Sequence, residues 1–148
     1  MVEDIPEFGE RLPGVDYVLR PGGYVVVHNS QGEIALVSTP QGFFLPGGGQ
    51  GGGETPEQAA IREAEEEGGL CVRLTRLLGR ADELVYAAEE WIHYRKRCSF
   101  FSAELTFRRA GGEADHILVW MTPGEALTRL SHQSQRWAVM EASRLTTG

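Results

Sequence analysis

Residues 45–70, LPGGGQGGGETPEQAAIREAEEEGGL, constrain this chain most, because a glycine-rich turn runs straight into a helix crowded with carboxylates. The helix start is well marked: Thr55 is placed to N-cap, Pro56 suits the first helical position, and Gln58 completes a capping box with Thr55. Gly68 and Gly69 stop it. At about 100° per residue, Glu63, Glu66 and Glu67 fall on one face, while Ala60, Ile61 and Ala64 turn to another. Like charges at these spacings each cost an isolated helix roughly 0.2–0.5 kcal/mol, so the face is either a solvated acidic surface or a cation site. Mg²⁺ fits best, since hard divalent cations take oxygens from a few carboxylates, water and substrate phosphates. Mn²⁺ can stand in for it.

Gly47, Gly48, Gly49, Gly51, Gly52 and Gly53 read either as a flexible linker or as backbone stripped of side chains to approach a metal and a diphosphate. The helix that follows at once favours the second reading.

Taken together, Gly48, Glu54, Arg62, Glu63, Glu66, Glu67, Gly69 and Leu70 stand at the spacing G-x5-E-x7-R-E-U-x-E-E-x-G-U, with U a bulky aliphatic. This resembles the signature of the Nudix hydrolase family. Ala64 departs from it at the first aliphatic position, which thins the packing under the helix. Gly51 stands where many relatives carry a glutamate, which leaves one carboxylate fewer. The resemblance implies an α/β fold, an α/β/α sandwich around a mixed sheet. It also implies an enzyme that hydrolyses a pyrophosphate bond in a nucleoside diphosphate linked to another moiety. Glu63, Glu66 and Glu67 are the expected ligands of the catalytic metal, joined by the carbonyl of Gly47. Glu63 is a candidate general base; in several relatives a later carboxylate does that work, and here Glu113 is nominated as base and ligand, with Asp115 behind it. Arg62 is expected to orient the carboxylates and Glu54 to anchor the loop to the helix.

Length and composition fit this picture. A chain of 148 residues with 41% hydrophobic content is one domain's worth, 1–148, with residues 1–13 as an irregular lead-in. A net charge of −7 argues against a general nucleic-acid surface, so the expected partner is a small nucleotide-like phosphorylated substrate. Nothing in the sequence fixes an oligomeric state, a homodimer included. No apolar run approaches the ~20 residues of a membrane span, and the acidic N-terminus does not read as a signal peptide, so the expected location is cytoplasmic. Cys71 and Cys98 lack metal-ligand or redox spacing and are expected as buried free thiols, and His28, His93, His116 and His132 are scattered, which assigns them structural or surface roles.

Along the chain, strands are expected at 17–19, 23–28 and 33–38, the last two joined by the turn Asn29-Ser30-Gln31-Gly32, with a short strand at 43–45 leading into the glycine loop. After the helix a β-rich stretch begins at 72–78 and continues through 84–86, followed by a turn over 87–90, a long strand over 91–105 and a short one over 117–121. Helices follow from Pro123 to Leu130 and from Gln133 to Leu145, the latter burying Trp137, Ala138, Met140 and Ala142. Tyr86 lies beyond the motif at a distance that resembles a Nudix subgroup acting on dinucleoside polyphosphates, and an ordinary strand aromatic is the competing reading. His93, Arg95, Lys96 and Arg97 form a basic cluster suited to a polyphosphate, with Tyr86, Arg95 and Arg97 as the expected substrate contacts. Nucleoside triphosphates and nucleotide sugars would use the same cluster. A non-catalytic Nudix-fold binding module is the alternative of another class; it predicts a broken glutamate set, whereas all three helix glutamates stand. A structural or interaction protein with an acidic helix is the third.

Overall fold

A computed structural model describes residues 4–110 and 112–147. In chain order these form β1 (Glu7–Phe8), β2 (Val18–His28), β3 (Ile34–Thr39), β4 (Gly42–Phe44), β5 (Gly47–Gly49), α1 (Pro56–Gly68), β6 (Leu70–Ala87), β7 (Ile92–Arg108), β8 (Ile117–Met121), α2 (Pro123–Arg129) and α3 (Gln133–Thr147). The sheet is mixed, in the order β1-β6-β7-β2-β3-β4, with β5 paired to β2 and β8 to β3. β2 and β7 run parallel and β6 and β7 antiparallel. The lead-in is not wholly irregular, because β1 adds a parallel edge to β6 at Asp82 and Glu83.

Alternation along β2 sorts the core into two layers. Val25 and Val27 pack with Ala60 and Ala64 of α1, while Val26 packs with Ala138, Val139 and Ala142 of α3. Successive strand residues face opposite ways, so α1 and α3 lie on opposite faces of the sheet and the expected α/β/α sandwich is formed.

The two expected strands at 17–19 and 23–28 are one. β2 continues through Arg20-Pro21-Gly22, where the proline carbonyl still accepts from the Gln50 N–H at 3.0 Å. Its glycines serve close approach, not a turn: a Cβ on Gly23 would lie 2.0 Å from the Pro56 carbonyl oxygen, so the first turn of α1 rests directly on strand backbone. β6 covers the whole expected stretch from 72 to 86, β7 runs past residue 105 to Arg108, and bulges at 71/72, 74/76 and 77/79 let β6 twist with its partner.

Both long helices bury a narrower stripe than expected. Met140 of α3 is 56% exposed, because it stands about 200° around the helix from Ala138, and Val139 takes its place. Ile61 of α1 is also exposed. Ala59, Ala60, Ala64 and Gly68 are the buried residues of α1, and Glu67, seven positions after Ala60 and therefore about 20° away, borders that stripe with its side chain 13% exposed. A carboxylate is thus carried to the edge of the packed face of α1.

Candidate active site

The helix start is built as its sequence dictates. Thr55 Oγ1 accepts the Gln58 N–H at 3.1 Å, Gln58 Oε1 accepts the Thr55 N–H at 3.0 Å, and Gly69 ends the helix in the left-handed region at φ 66°. The glycine loop in front is tied at both ends. Leu45 N–H donates to Gln135 Oε1 of α3 at 2.8 Å, and Gly47 N–H donates to Glu67 Oε1 of α1 at 2.9 Å. At Gly48 a Cβ would fall 2.9 Å from the carboxyl carbon of Glu63, so any side chain there would displace that carboxylate.

Arg62 organises the acids. Its Nε and Nη2 fork Glu54 at 2.6 and 2.9 Å, and its Nη1 donates to Glu63 Oε1 at 2.8 Å and Glu66 Oε2 at 3.1 Å. Nη2 also reaches the Gly49 carbonyl at 3.2 Å, a second link between loop and helix beside the Glu54 fork. The Arg62 guanidinium and then the Gly51 N–H hold the Glu54 carboxyl down at about 2. Gly51 itself is exposed, and a Cβ there would start 3.3 Å from Glu54 Oε1.

Carboxylate oxygens of Glu63, Glu66 and Glu113 lie within 4.8 Å of one another, Glu113 arriving from the connection between β7 and β8. Burial raises the Glu63 carboxyl against the opposing pull of Arg62. Burial pushes Glu67 further, to about 8, although the Gly47 N–H opposes it. His116, assigned a structural or surface role from sequence, stands between two of these acids: Nδ1 is 3.4 Å from Glu113 Oε2 and Nε2 is 3.8 Å from Glu67 Oε2. Its Nδ1 is buried without a hydrogen-bond partner among the described residues. The only sequence signal for it was the short spacing Glu113-x-x-His116 in a loop.

These residues fit a divalent cation. Three convergent carboxylates, a fourth raised by burial and an orphaned imidazole nitrogen beside them form an acid-rich donor set that a cation would relieve.

The cluster opens on a cavity of about 460 Å³. Glu63, Glu67 and His116 line it, as do Phe44, Lys96 and His132. Of the expected site residues, Glu54, Arg62, Glu63, Glu66, Glu67, Gly47 and Glu113 are brought together, whereas Tyr86, Arg95 and Arg97 are not. Along β7 the odd positions face away from the cavity wall formed by Lys96 and Cys98. Arg97 instead forks the buried Asp82 at 2.8 and 3.0 Å, and Arg95 reaches the same carboxylate at 3.4 Å. Tyr86 stacks on His93 with ring centroids 4.5 Å apart, while bordering a neighbouring depression that shares Arg20, Phe44, Lys96 and His132 with the cavity.

The profile of the NUDIX domain family matches residues 18–142. An RNA pyrophosphohydrolase of Mannheimia succiniciproducens is 36% identical over 78 residues, 51% of this chain and 36% of that protein. Diphosphoinositol polyphosphate phosphohydrolase 3-alpha of Mus musculus is 46% identical over 50 residues, 32% of this chain and 30% of that protein. The match thus spans about a third of the length of these curated relatives. Among solved structures, a NUDIX hydrolase from Nitrosomonas europaea shares the fold with a TM-score of 0.71 at 17% identity, over 84% of this chain and 88% of that one. A MutT NUDIX hydrolase from Burkholderia pseudomallei is 26% identical, with a TM-score of 0.60 over 83% of this chain and 97% of the other.

Proposed function

The chain belongs to the NUDIX family, and from that premise we propose that it hydrolyses a pyrophosphate bond in a nucleoside diphosphate linked to another moiety, with Mg²⁺ as cofactor. The observation that carries this is the convergence of Glu63, Glu66 and Glu113 beside the cavity that Glu63 lines, with Glu67 and His116 against them. Glu63, Glu66, Glu67 and Glu113 would hold the cation, with the Gly47 carbonyl as a further ligand, and Mn²⁺ can replace Mg²⁺. When bound, the cation neutralises phosphoryl oxygens and lowers the pKa of water.

The chain's own residues supply the rest. Arg62 fixes Glu63 and Glu66 in place, and Glu54 fixes Arg62. In the reaction a water oxygen bonds to phosphorus, the bridging oxygen leaves with the electron pair of the broken P–O bond, and the water's proton passes to a carboxylate. Glu113 suits that last role because Arg62 does not engage it, whereas Glu63 shares an oxygen with Arg62.

Dinucleoside polyphosphates, nucleoside triphosphates and nucleotide sugars all contain such a bond. The case for the first rested on Tyr86, Arg95 and Arg97, which do not meet in the cavity. The relatives named above suggest a polyanion in place of a neutral sugar conjugate. No described helix is long and apolar enough to cross a membrane, and the free thiols of Cys71 and Cys98 accord with a reducing cytoplasm.

Glu66→Gln keeps the shape of the side chain and removes its charge. Formation of the cleaved nucleotide products in Mg²⁺ over a nucleotide panel should fall by about 100-fold or more, since even outer partners of metal ligands cost 10–100-fold. A folded Glu66→Gln protein with near-normal turnover would refute the site. Tight nucleotide binding by the native protein without turnover would favour the binding-module reading.

A further inference from the structure

Lys96 is the single lysine among the 14 basic residues of the chain. It sits in the middle of a charged row across three strands, opposite Glu83 of β6 on one side and Arg20 of β2 on the other. Like charges set side by side in a sheet repel. Glu83 is turned elsewhere, its Oε1 accepting the Ser134 N–H at the start of α3 at 2.7 Å. Arg20 lies over the Tyr94 ring, with its nearest carboxylate, Glu90, at 3.8 Å. The Lys96 ammonium makes no hydrogen bond or ion pair among the described residues, its carbonyl alone accepting from Cys98 Sγ, and burial lowers its pKa, helped by Arg20, against the pull of Cys98, Glu83 and Glu90. Both cations line the cavity that also holds Glu63 and Glu67. An acidic protein has therefore placed two neighbouring cations, one of them without a counter-ion, in the cavity wall of its candidate active site.

We infer that Arg20 and Lys96 form an anion subsite that receives a phosphate further along the substrate from the bond cleaved, so that the preferred substrates carry three or more linked phosphates. A compact ammonium with three rotatable donors beside a planar guanidinium suits a phosphate at the end of a flexible chain. The substrate part of this inference rests on the hydrolytic reading; the binding part does not.

The single lysine makes the binding part directly observable. Reductive methylation with ¹³C-formaldehyde labels one side-chain amine, and metal-free titration with inorganic tripolyphosphate should shift its dimethylamine resonance. Calorimetry on unlabelled protein should show tripolyphosphate affinity about tenfold weaker in Lys96→Met, the size of one charge-assisted hydrogen bond, and largely kept in Lys96→Arg. An unmoved resonance, or equal affinity in Lys96→Met, overturns the subsite. Equal affinity for inorganic monophosphate overturns the chain-length reading in favour of a free-phosphate site. In turnover, Lys96→Met should lower kcat/KM for ATP about tenfold more than for ADP-ribose; equal losses overturn the substrate class. If native protein turns over neither, the hydrolytic reading fails while the tripolyphosphate titration still decides the subsite.

Discussion

Arg97 and Lys96 are adjacent in sequence and lie on opposite faces of β7 in opposite electrostatic states. Arg97 is forked onto Asp82, which is only 3% exposed, and Arg95 supports the same carboxylate. Charge there is compensated inside the protein, and the pairing ties β7 to β6 and its β1 edge. Lys96 has a like-charged neighbour and a carboxylate that is engaged with α3. Compensated charge holds strands together, whereas uncompensated charge in a cavity wall is held ready for something from outside.

The contrast breaks most visibly at Asp82. Asp82→Asn removes the carboxylate that Arg95 and Arg97 share, and because both arginines keep some solvent the expected loss is about 2–3 kcal/mol, below the full cost of a buried pair. Urea unfolding at constant m reads it, and a loss under about 0.5 kcal/mol would show that this face is no better compensated than the other. Next in size is the pair Arg97→Met and Lys96→Met. The first should cost about 1–2 kcal/mol and the second should leave stability within about 0.5 kcal/mol or raise it, since removing one of two repelling cations gives up no partner. Equal costs would erase the distinction between the faces.

The smallest effect concerns His132, on the cavity side near Lys96. Burial lowers its pKa, Glu83 opposes that, and the charges of Lys96 and Arg136 add to it. The unfolded chain therefore binds this proton more readily, so the contribution of His132 is complete above the ordinary histidine range near 6.5 and is lost as pH falls through its depressed folded value. Thermal melts between pH 7 and 5 should show a shallower decline in His132→Gln than in the native protein, and identical slopes would remove His132 from the cavity's charge balance.

Local signals carried most of what the sequence revealed. The cap at Thr55, the stop at Gly69, the Asn29 turn, whose side chain accepts the Gln31 and Glu33 N–H groups, and the grouping of Arg62 with Glu54, Glu63 and Glu66 all depend on residues close in the chain. Glu113 was nameable only because the family resemblance asked for a later acid. The face of β7 was not legible. Alternation separates Lys96 from Arg95 and Arg97, but which set meets the cavity is decided by parallel pairing with β2 and by Asp82 from β6. Glu67 was half legible: its place a heptad after Ala60 is in the sequence, yet its charge argued for solvent until the Gly47 N–H supplied a reason for burial. His116 had only its short spacing from Glu113 to announce it.

The loop between Leu45 and Gly47 is fastened from both sides of the sheet, by Gln135 of α3 and Glu67 of α1. In terms of amide hydrogen exchange, these two N–H groups are separate clocks set two residues apart. Leu45 should exchange only when α3 lifts from its face, and Gly47 only when the Glu67 carboxylate lets go. Equal and slow rates would mean that the loop opens only with the whole fold. A faster Gly47 would mean that the site loosens while the layer behind it stays closed.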